Sequence, residues 1–80
     1  KDNIMSYKQS ALDMLRNQAE TDQCKALTSL ELLLNHPAGI GDHSTGDLYD
    51  NLNEAIALLA DAEDRLETLR KYNSFFTTTD

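Results

Sequence analysis

From Leu48 onward the apolar positions recur in steps of four and three: Leu48, Leu52, Ala55, Leu59, Ala62, Leu66 and Leu69. A seam of that period is what lets one helix wind along another at a shallow angle. Tyr49 and Ile56 widen one edge of the seam and Leu58 widens the other. The upstream half is less regular. Leu12, Leu15, Ala19, Ala26, Leu30 and Leu33 share one narrow arc, Gln23 occupies the rung between them, and Ala11, Leu27 and Leu34 broaden it. Ser6 with Gln9 and Ser44 with Asp47 have the spacing of helix-start capping boxes. Arg70 and Lys71 suit the negative end of a helix dipole. Asp61–Arg65 and Glu67–Lys71 add i,i+4 pairs on the surface.

The single proline and all three glycines lie between Pro37 and Gly46, which marks a loop. The expected elements are a helix over about 6–35, a loop over about 36–44, a helix over about 45–73 and a frayed tail at 77–80. Thr28 with Glu31 also has capping spacing, which leaves open an interruption near 21–28, although one continuous helix is the expectation. Two helices of matched length joined by a short loop form an antiparallel hairpin, so the fold class is all-α, one domain over residues 1–80. Ala55 and Ala62, at equivalent heptad positions, allow a close helix approach.

A lone hairpin cannot enclose a core, and Tyr7, Met14 and Leu32 fall on the face of the first helix opposite its stripe. The expected outcome is a homo-oligomer, a dimer first, that forms a four-helix bundle. Its interface would draw on Tyr7, Met14, Leu32, Leu48, Leu52, Leu59, Leu66 and Leu69; a different protein covering the same face is the competing partner. Tyr72, Phe75 and Phe76 are expected to close the open end of the hairpin, with docking on a partner as the alternative.

Composition narrows the function. The 80 residues contain 13 Leu and 8 Ala but no Val, a palette that favours helices over strands. Fourteen acidic against seven basic residues give a net charge of −7, which argues against nucleic acid and anionic membranes as partners. The longest apolar run is Leu32–Leu34, too short to span a bilayer, and no signal-peptide pattern is present, so the expected location is cytoplasmic. Cys24 is the only cysteine, which rules out an intrachain disulfide and suits a reducing compartment.

Chemistry has one candidate place. His36, Asp42 and His43, with Asp47 nearby, supply imidazole and carboxylate ligands for a metal ion, although their spacing matches no established signature. Gly39-Ile40-Gly41 lacks the strand and lysine of a phosphate-binding turn. His43 and Ser44 lack a visible third group, and the carboxylates Glu63, Asp64 and Glu67 fall beside the seam in solvent. The expectation is no enzyme and no cofactor, with a structural loop favoured over a metal site.

The string Asn35-His36-Pro37-Ala38-Gly39-Ile40-Gly41-Asp42-His43, followed by Ala62-Glu63-Asp64 and Leu66-Glu67-Thr68-Leu69, resembles small helical proteins of T-even-like tailed phages, marine ones included. The resemblance covers roughly residues 30–72. It implies a phage-encoded accessory protein acting in the host cytoplasm, or a minor virion component, and it carries over no functional residue. The reading is therefore a non-catalytic oligomeric interaction protein. The alternative is a metal- or small-ligand-binding module centred on His36, Asp42 and His43.

Overall fold

No glycine or proline interrupts residues 2–35, and in the computed structural model they form one unbroken helix, α1 (Asp2–Asn35). The structure describes residues 2–35 and 45–78, with side chains from 7 to 35 and from 46 to 78. α1 starts four residues earlier than the Ser6–Gln9 spacing predicts, so Ser6 lies inside the helix rather than at its cap. It also runs straight through Thr21–Thr28 without a break. Local pairs support it: Gln9 Nε2 donates to Asp13 Oδ1 at 3.1 Å, and Gln18 Nε2 to Asp22 Oδ1 at 3.3 Å. At the far end Asn35 Nδ2 donates to the Glu31 carbonyl at 2.8 Å, satisfying one of the oxygens a helix terminus leaves open.

The second helix, α2 (Thr45–Lys71), packs along α1, and no strand occurs among the described residues. The expected loop at 36–44 lies outside the described residues, as do Ser44 of the second capping pair and His36, Asp42 and His43. α2 ends two residues sooner than predicted. Tyr72 leaves helical geometry (φ −106°, ψ 14°), although its amide still donates to the Thr68 carbonyl at 3.1 Å. A short helix, α3 (Asn73–Thr77), follows and contacts α1. Thr77 thus belongs to a helix rather than to a frayed tail, and the Thr78 hydroxyl donates to the Ser74 carbonyl at 2.6 Å. Lys8 Nζ donates to the Thr78 carbonyl at 3.3 Å, which brings the chain's end back to the start of α1. Phe76 turns partly inward and Phe75 stays exposed, so the aromatic tail closes the free end only in part.

The hairpin is a rod of 59 × 18 × 15 Å. Its core is a line of four alanines, Ala19, Ala26, Ala55 and Ala62, and no larger side chain is buried among the described residues. The geometry explains this. Only atoms on the line between two helices are enclosed when there is no third element, and a methyl group fits there, whereas a leucine reaches sideways into solvent. Ala19 and Ala26 lie seven residues apart, as do Ala55 and Ala62. The helices run antiparallel, with Asp22 of α1 brought to Arg65 of α2 across the contact.

The seam of α1 is Leu12, Arg16, Ala19, Gln23, Ala26, Leu30 and Leu33, a strict four–three pattern that matches α2 rung for rung. Arg16 takes the rung expected of Leu15, and Leu15 stands half-exposed. A helix that follows a partner keeps a period nearer 3.5 than 3.6 residues, and that favours Arg16. Its aliphatic stem covers the groove while the guanidinium reaches out to Asp13 at 2.9 Å.

Candidate interaction surface

Two helices side by side make a slab with two faces, and the faces differ in chemistry. On the first, Arg65 of α2 spans to α1: its Nη2 donates to Asp22 Oδ2 at 2.7 Å, and its Nε to Asp61 Oδ2 at 3.0 Å. The Asp22 side chain is only 15% exposed and that of Arg65 36%. This bridge splits the apolar side chains of its face into two separate ends. Met14 and Leu15 belong to the free end, and Leu32 and Leu58 to the end nearer residues 35 and 45.

The second face carries no such bridge at its centre. Leu27 lies five residues beyond Asp22 and Ile56 nine before Arg65, which at about 3.6 residues per turn places both on the side away from the ion pair. Leu34 and Tyr49 follow one heptad further along. Leu27, Leu34, Tyr49 and Ile56 therefore form a strip drawn from both helices, exposed by 50%, 65%, 59% and 51%. Towards the free end the same face turns polar: Asp13, paired with Arg16, Glu20, Glu63, and Glu67, paired with Arg70.

The charged groups follow their partners. The hydrogen bond from Arg65, more than any other influence, holds the Asp22 carboxyl below the usual carboxylate range, and the same bond raises Arg65. Arg16 lowers Asp13, and Arg70 lowers Glu67. A depressed carboxylate takes up its proton later in the folded chain than in the unfolded one. Its stabilisation is therefore complete above the unfolded value near 3.9 and is lost as the pH falls through the folded value. Asp22→Asn should thus melt below the wild type at pH 7, and thermal melts by circular dichroism should show the gap closing below about pH 4. A gap that persists unchanged at about pH 2 would show that Asp22 acts through packing instead.

Tyr7, Met14 and Leu32 are exposed, and Met14 borders a shallow groove between the helices with Leu15, Arg65 and Leu69. Leu48, Leu52, Leu59, Leu66 and Leu69 are half-buried along the contact of α2 with α1, so the hairpin itself uses part of their surface. Among the described residues no group of His, Cys, Asp or Glu is arranged to hold a metal ion, and none of the helices is long and apolar enough to cross a membrane. Cys24 is exposed. Glu63, Asp64 and Glu67 are exposed as the spacing predicted, and Glu67 is engaged by Arg70.

The sequence pattern flagged Leu27, Leu34, Tyr49 and Ile56 only as residues broadening two separate arcs. Bringing them into one strip needs the register between the helices, which the Asp22–Arg65 bridge supplies. Comparison with protein-family models, curated proteins and solved structures found no match.

Proposed function

We propose that this chain is a non-catalytic helical interaction protein that completes its core by self-association, a dimer of hairpins forming a four-helix bundle. The supporting observation is the imbalance of its burial. Among the described residues only four alanines are enclosed, while ten large apolar side chains stay exposed. Exposed apolar surface on that scale marks a docking site, and a chain this short needs a partner to gain a sizeable core. The loop string Asn35–His43 and its companion segments favour an accessory protein of a tailed phage, acting in the host cytoplasm, as the biological setting.

Mass action gives the test. A folded dimer that unfolds to monomers gains about 2.7 kcal/mol over a hundredfold rise in chain concentration, which moves the melting temperature up by about 5–10 °C. A melting temperature independent of concentration, with a monomer mass in sedimentation, would overturn the reading.

A further inference from the structure

We infer that the strip Leu27, Leu34, Tyr49 and Ile56 is the surface on which a second copy of this chain docks, about a two-fold axis parallel to the helices. The inference rests on the self-association proposed above and names its face and arrangement.

The area fits a second copy. The chain exposes 6111 Å², whereas a compact monomer of its 9.0 kDa exposes about 4,900 Å². The excess, roughly 1,200 Å², exceeds the ~800 Å² that each partner loses in a standard interface. Chemistry picks the face. Docking through the opposite face would bury the Asp22–Arg65–Asp61 bridge, and desolvating such a network is costly. The strip carries one carboxylate at its edge, Glu31, beside Leu27 and Leu34, and its centre holds only the four apolar side chains.

Charge also picks the arrangement. The strip occupies the half of the face nearer residues 35 and 45, with Glu31 alone at its edge, and Asp13, Glu20, Glu63 and Glu67 occupy the other half. A two-fold perpendicular to the helices would set one copy's carboxylates on the other's strip. A two-fold parallel to them lays α1 over the partner's α2, so that Leu27 meets the partner's Ile56 and Leu34 meets the partner's Tyr49, each twice. All neighbouring helices then run antiparallel, as in an up-and-down bundle. The acidic halves end side by side, and each copy carries −7. Association should therefore tighten as sodium chloride rises from about 0.05 to 0.5 M, whereas docking of a basic partner would weaken.

Sedimentation velocity of the full chain tests this, with circular dichroism to confirm helix content. Ile56→Glu and Leu27→Lys, at half-exposed positions, should each weaken the dimer by more than about 10-fold while the hairpin stays helical. Mixing the two variants should restore a dimer, because each lysine then meets a glutamate and each leucine an isoleucine. Leu34→Lys with Tyr49→Glu repeats the test one heptad along and serves if either first variant loses its helix. A mixture that stays monomeric overturns the parallel arrangement. A dimer untouched by both variants but lost in Leu32→Glu overturns the face while leaving self-association standing. A wild-type chain that is monomeric at about 200 µM overturns both.

Discussion

Ala26→Leu should lower the stability of the hairpin by about 1–3 kcal/mol, whereas Ala57→Leu should stay within about 0.5 kcal/mol of the wild type. Ala26 is fully enclosed between the helices, and Ala57 stands in solvent on the same kind of helix. Leucine and alanine have similar helix propensities, so the comparison isolates the cost of forcing the helices apart. In a chain of 80 residues each kcal/mol moves the melting temperature by about 4–8 °C, so Ala26→Leu should lower it by about 4–24 °C. Chemical denaturation of the two variants checks it, and equal midpoints would show that the alanine line does not set the helix spacing.

Gln23→Leu should act in the opposite direction, raising stability by about 1 kcal/mol and the melting temperature by about 4–8 °C. Gln23 holds a half-buried rung of the seam of α1. A leucine there would make the rung apolar like its neighbours Ala19 and Ala26, and half-burying its side chain yields about half of the full transfer gain. A fall in stability would give Gln23 a different part, that of a polar seam residue that fixes register at a cost in stability. Melting curves at one fixed chain concentration separate the two, since concentration itself shifts the transition in a self-associating chain.

The two substitutions probe different kinds of legibility. The rungs Leu48 to Leu69 stand out in the sequence because every one is apolar, so period alone locates the contact on α2. On α1 two rungs are Arg16 and Gln23, and a search for apolar residues slides to Leu15 instead. Arg16 qualifies through its stem rather than its charge, and nothing in a hydrophobic pattern records that. The start of α1 was missed for a related reason: Ser6 and Gln9 have capping spacing, but helical residues upstream of them leave no terminus to cap.

Local chemistry alone determined the helical class, the place of the chain reversal and the pairing of small residues on α2, and it favoured an unbroken α1 over one interrupted near 21–28. Propensity, period and the Pro–Gly cluster act within a few residues, so the order of the chain carries them. Which side chains are enclosed, which carboxylate Arg65 selects and which apolar residues gather into a strip were decided by tertiary structure. Each of these depends on the register between residues that lie far apart in the chain, and that register is a property of two packed helices, not of either one.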